Sequence, residues 1–139
     1  MRAKLVVLLI SSWFLVTVSM LAHHSFAAEY DSTKPVKVTG VVTRVEWTNP
    51  HIWFFVDVKD EDGKVTNWGF SGGPPGVLMR RGITKDALKL GSVVKVDGFR
   101  AKDGSNNANG GKVTFEDGRQ VFTASAEDTL PSDKKGERK

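Results

Sequence analysis

"KPVKVTGVVTRVEWTNPHIWFFVDVKDEDGKVTNWGF" (Lys34–Phe70) alternates apolar and polar residues for most of its length, the period of half-buried strands. Val36 and Val38 share one phase. After Gly40 the apolar phase moves to Val41, Val45 and Trp47, which predicts a bulge or sharp bend at that glycine. Thr48–Pro50 supply turn chemistry, since Asn and Pro each favour turn geometry. Ile52, Phe54, Val56 and Val58 then alternate with Trp53, Phe55, Asp57 and Lys59, and Asp60–Gly63 forms a hairpin turn before Lys64–Phe70 returns. The stretch predicts a three-stranded meander with a bent first strand.

Downstream, "SGGPPG" (Ser71–Gly76) breaks the alternation and introduces two short helical segments. "VLMRRG" is ended by Gly82, and "TKDALKLG" starts at Thr84, a potential cap, and closes at Gly91. Ser92–Ala101 reads as a fourth strand, Lys102–Gly111 as a long Asn/Gly loop, and Lys112–Ala124 as a hairpin around Asp117–Gly118. The order predicts an all-β domain over residues 34–124: a small OB-fold-like Greek-key barrel with a short helical connection between strands three and four. Closing so few strands into a barrel requires a bent first strand, and Gly40 provides for one. A generic antiparallel sandwich is the competing arrangement, because periodicity does not encode strand order. Residues 125–139 are polar, charged and aperiodic, the signature of a disordered tail.

Upstream, a basic start (Met1–Lys4) precedes the uncharged apolar run Leu5–Leu21. That is the layout of a secretory signal peptide, assigned to residues 1–22. The competing reading is an uncleaved anchor, but the 17 residues of the run fall short of the roughly 20 that span a bilayer. Cleavage after Ala22 leaves Met20 at −3, whereas cleavage after Ala27 leaves the smaller Ser25, so both sites stay open. Residues 23–33 form an N-terminal arm. The expected location is periplasmic or secreted, with no membrane contact after processing. Of 20 basic and 16 acidic residues, Arg2 and Lys4 leave with the signal, which lowers the net charge from +4 to +2. So small an excess gives no steering field for nucleic acid or anionic lipid. Cysteine is absent, so no disulfide supports the exported chain and no thiolate is available for chemistry.

"HHSFAAEYD", "VEWTNPHIWFFVDVKDEDGKVTNWGF", "RRGITKDALKLG" and "RAKDGS" resemble a family of small exported bacterial proteins of unknown function (DUF6152). The resemblance runs from His23 to about Val121. It implies export and an OB-like fold, and supplies no activity. Relatives in that family often carry an acid after the W-x-F motif, where this chain has Ser71, and a Trp where it has Ile83. No role for that acid carries over.

On the expected barrel, the loops joining strands one to two and four to five frame the usual ligand mouth. Trp47, Asn49, His51, Trp53 and Lys102 are the candidate ligand-binding residues. The chain has three histidines, and all of them enter one metal hypothesis. Cleavage after Ala22 frees an α-amine on His23 beside its own imidazole. His51 would add a third nitrogen if the arm folds back, with Phe26 and Tyr30 as apolar anchors. His24 is a substitute ligand, and Glu29, Asp31 or Glu46 could add oxygen. Such a nitrogen set suits Cu(II). The plain alternative is a turn-capping His51 and a solvated histidine arm. Trp53 and Phe55 point away from the Ile52–Phe54–Val56 phase, and a covered outer face explains them better than base stacking. Arg80, Arg81, Arg100 and Lys102 are expected on a solvated face. "SGGPPG" lacks the lysine and spacing of a P-loop, and no nucleophile–base pair stands out. The sequence therefore predicts a non-catalytic exported binding protein for a small molecule, a peptide or an envelope protein. The alternative is a copper-binding protein using His23, His24 and His51.

Overall fold

The alternating segments become six strands hydrogen-bonded edge to edge in the computed structural model, which describes residues 25–124. The strands are β1 (Tyr30–Glu46), β2 (Trp53–Lys59), β3 (Val65–Ser71), β4 (Val93–Ala101), β5 (Asn107–Phe115) and β6 (Gln120–Phe122). A single helical turn, α1 (Ser25–Glu29), precedes them. Between β3 and β4 lie α2 (Pro75–Arg80) and a 3-10 turn, Lys85–Ala87. Residues 1–24, which hold the expected signal segment, His23 and His24, and residues 125–139, the expected tail, lie outside the described residues. Among the described residues no helix is long and apolar enough to cross a membrane.

β1, β2 and β3 form an antiparallel meander, and β4 returns to pair with β1. That is the Greek-key order. β5 then pairs antiparallel with β4 and parallel with β3, closing the ring β1-β2-β3-β5-β4. The molecule is the small Greek-key barrel expected from the sequence, with the helical connection between strands three and four. One sheet closing on itself excludes the sandwich.

Burial follows the alternation. Phe54 and Val56 of β2, Phe70 of β3, Val94 and Val96 of β4, and Val113 of β5 are almost fully buried in one cluster. Phe54 and Phe70 face each other in register, with ring centroids 5.3 Å apart and planes 19° from parallel. Burying each such side chain stabilises the fold by about 1.5–3 kcal/mol relative to leaving it exposed.

The apolar phase of β1 shifts later than the sequence predicts. Val36, Val38 and Val42 continue one phase past Gly40, and the register breaks between Val42 and Arg44. Val42 is accordingly 1% exposed and Val41 38% exposed, so Val41 is not a core residue. Gly40 has another cause. A Cβ there would lie 2.1 Å from the Asp57 carbonyl oxygen, so only glycine lets β2 approach at the bend.

The Asn/Gly loop is also shorter than predicted. Only Lys102–Asn106 turn the chain, and Asn107–Gly111 belong to β5. Apolar alternation fails there because the space is already filled. A Cβ on Gly110 would lie 2.8 Å from the Phe54 ring, and the Asn109 side chain is used by the backbone, accepting from Phe99 N–H at 2.6 Å. Thr84 stands at the start of the 3-10 turn but its hydroxyl makes no capping bond. Ala87 N–H donates to the Thr84 carbonyl instead, at 3.0 Å.

Candidate functional site

The arm does not lead loosely into the barrel. β1 begins at Tyr30, which pairs with Ala101 at the far end of β4. Lys102 N–H donates to the Glu29 carbonyl at 2.8 Å, and the Lys102 ammonium donates to the Ala27 carbonyl. The Tyr30 hydroxyl shares a hydrogen bond of 2.6 Å with the Ser71 hydroxyl on β3, and the Tyr30 side chain is buried. Three contacts thus strap α1 across the β4–β5 turn and onto β3. Ser71, the residue that follows the W-x-F motif, serves the strap here.

Between strap and barrel lies a cleft of about 280 Å³, lined by Ala28, Glu29, Tyr30, Trp53, Ala101, Lys102, Asp103 and Asn107. Trp53 is placed there by the outward phase of β2, opposite Ser71 in register. Its ring runs along the strand with Phe55, at 6.4 Å and 23°, and the Arg44 guanidinium sits 3.8 Å over the Phe55 ring. Asp103 is exposed and committed locally. The Ser105 hydroxyl and backbone N–H bond its carboxylate at 2.6 and 2.9 Å. Those bonds, helped by the Arg100 charge, hold the Asp103 carboxyl below its ordinary 3.8.

His51 lies just before β2, half-buried, two residues from Trp53. Its Nδ1 is 2.9 Å from the Gly72 carbonyl oxygen. A carbonyl can only accept, so Nδ1 carries the proton, and Nε2 is the ring nitrogen left to bind a ligand. The ladder extends past Trp53 through Gly72 N–H to the Ile52 carbonyl at 2.8 Å, which holds His51 two residues beyond the Trp53–Ser71 pair. Among the described residues no group of three His, Cys, Asp or Glu side chains is placed to hold a metal ion. His23 and His24 lie outside the described residues.

The structure divides the five candidate ligand residues. Trp53 and Lys102 meet at the cleft, and His51 follows Trp53 along the same strand edge. Asn49 is exposed in the turn. Trp47 faces elsewhere, into a groove of about 510 Å³ shared with Thr43–Val45 and the connector Lys85–Leu90. Of the basic residues expected on a solvated face, Arg80, Arg81 and Lys102 are exposed and Arg100 is half-buried, and all but Arg80 also bond backbone carbonyls. Arg81 donates to the Ala124 carbonyl at 2.9 Å. Arg100 donates to the Ser105 and Gly104 carbonyls and lies 5.6 Å from the Trp68 ring. The "SGGPPG" amides are likewise occupied: Gly72 and Gly73 N–H donate to the Ile52 and Thr123 carbonyls. The residues missed from the sequence are Tyr30, seen only as an apolar anchor, and Ser71. Their pairing spans 41 positions and leaves no local signal.

Everything in this strap and cleft falls within one stretch of sequence similarity. The model of a family of unknown function (DUF6152) matches residues 13–111, well over half the chain. The chain belongs to the DUF6152 family. No curated protein and no solved structure matches it. The DUF6152 match takes in the arm, the β1–β2 turn, the connector and the Lys102–Asn106 turn, and brings no assigned chemistry to any of them.

Proposed function

We propose that the protein is a non-catalytic, exported binding protein whose ligand sits in the cleft between the N-terminal arm and the barrel. The observation that carries this is the strap itself. Lys102 and Tyr30 hold α1 beside Trp53 without closing the space between them. A cleft of about 280 Å³ lies just below the usual range for small-molecule sites, roughly 300–1,000 Å³, and so suits a small ligand. Its walls offer an indole face, the Glu29 carboxylate, the Asp103 oxygen that Ser105 does not bond and the Asn107 amide, while the Lys102 ammonium is already bonded to Ala27. That set suits a small amphipathic molecule carrying positive charge, stacked on Trp53. Thermal-shift titration with choline, glycine betaine, lysine and spermidine tests it. At least one should stabilise the mature protein and not Trp53→Ala. Failure of all four, or equal stabilisation of the variant, counts against the cleft.

A copper-binding role is the second reading, and His51 is what favours it. Its Nδ1 proton is fixed on the Gly72 carbonyl, which is how metal-ligating imidazoles are commonly oriented by their surroundings. Cleavage after Ala22 would add the His23 amine and imidazole from an arm strapped to the same side of the barrel. Cleavage after Ala27 would instead cut within α1 (Ser25–Glu29) and remove both histidines. Metal analysis of protein purified without chelators separates the readings, because the small-molecule site requires no copper.

A further inference from the structure

The groove on the connector side is separate from the arm cleft: Trp47 lines the one and Trp53 the other. Its apolar walls are Trp47, Leu88 and Leu90, and Leu90 is 66% exposed. Lys85 and Lys89 stand on its rim against the single Asp86, and among the described residues neither lysine has an ion-pair partner. A groove of about 510 Å³ with an exposed leucine and two unpaired ammonium groups calls for an occupant that is apolar and acidic at once.

We propose that the occupant is this chain's own C-terminal segment, Glu127–Pro131. The exit point supports it. The last described residue, Ala124, is held by Arg81 at 2.9 Å, and Arg81 opens the short link that leads to Lys85. Four residues span at most about 14 Å between the Arg81 and Lys85 backbones, and an extended tail reaches about 10 Å at Glu127 and about 20 Å at Leu130, so the Lys85 side chain has to reach back toward the exit point. The composition also fits. "SAEDTLP" (Ser125–Pro131) places Glu127 and Asp128 before Leu130 and Pro131, two acids for the two lysines and a leucine for the Trp47–Leu90 wall. Beyond Pro131 the tail turns basic, with Lys134, Lys135, Arg138 and Lys139, so the complementary charge lies in the part within reach. Docked, the segment would cover an apolar groove and make its availability to any partner depend on the tail.

Because the chain has no cysteine, a spin label at Ser132→Cys reports on the tail alone. On the full mature chain, the label should broaden amide signals of Thr43–Trp47 and Lys85–Leu90. The triple substitution Glu127→Lys, Asp128→Lys and Leu130→Ala should restore them. These changes lie outside the barrel and leave its fold as an internal control. Absence of selective broadening at the groove, or broadening that survives the triple substitution, overturns the proposal. Mixing labelled protein with an isotope-labelled unmodified chain gives the remaining arm. Broadening that passes between molecules makes a second copy the occupant and also overturns it.

Discussion

Tyr30→Phe removes one oxygen from the strap, and Tyr30→Ala removes the ring as well. The lost hydrogen bond, 2.6 Å between two part-buried hydroxyls, contributes a net ~0.5–1.5 kcal/mol. The ring is 6% exposed but lies at the rim of the barrel, so its truncation belongs at the low end of aromatic-to-alanine costs, about 3 kcal/mol. Neither change touches the Val94–Val96–Val113 core. The loss should therefore appear first as local opening of the arm. The reporter is the Lys102 amide, which donates to Glu29 at 2.8 Å and exchanges with solvent when the arm lifts. At tenfold per 1.4 kcal/mol, Tyr30→Phe should speed its exchange about 2- to 12-fold, and Tyr30→Ala about 100-fold. The Val96 and Val113 amides should move only with global stability, followed in parallel by urea unfolding. The reasoning is refuted if Lys102 exchange is unchanged in Tyr30→Ala, or if it moves in step with the core amides in both variants.

Gly40→Ala sets a Cβ 2.1 Å from the Asp57 carbonyl oxygen and 2.8 Å from its carbonyl carbon, a backbone clash that only separation of β1 and β2 relieves. Overpacking of this kind costs about 3 kcal/mol or more, and thermal unfolding should show a melting point lower by over ~10 °C. Gly82→Ala meets no atom within 4 Å at φ 79° and should cost only ~1–2 kcal/mol, the left-handed backbone penalty. Asp31 and Asp103 both have carboxyl pKa values held below 3.8, chiefly by the hydroxyls of Thr33 and Ser105. Depressed carboxyl values mean stabilisation present above the unfolded value and lost as pH falls through the folded one. The stability difference between wild type and Asp103→Asn should thus be present at neutral pH and vanish well below pH 3.8. If the copper reading holds, calorimetric titration of mature protein should show Cu(II) binding weakened at least tenfold by His51→Ala, and similarly by one alanine added before His23. Equal affinity in the extended chain removes the amine from the site.

The barrel was legible because each of its strands but one buries a single face, so that Phe54, Val56, Val94 and Val96 write the period directly. β5 is the exception: Gly110 makes room for the Phe54 ring and Asn109 bonds the β4 backbone, so a strand is spelled in loop residues. In β1 the glycine attracted the phase break that belongs three residues later, because close approach and register shift both leave a small residue near a bend. The candidate site was half legible. Trp53, His51 and Lys102 do share one region, since alternation puts Trp53 outward and the fold brings the β4–β5 turn to it. Trp47 follows the shifted phase of β1 into the other groove. The strap depends on Tyr30 meeting Ser71, a contact that exists only once the ring β1-β2-β3-β5-β4 has closed.

The most direct test of the binding role is an amide chemical-shift map of the isotope-labelled mature protein, titrated with the same four cations and zwitterions. The account predicts that any ligand found moves Ala28–Tyr30, Trp53 including its indole N–H, and Lys102–Asn107, and that Trp53→Ala abolishes the response. Shifts confined to Trp47 and Lys85–Leu90, or none with any of the four, would contradict it.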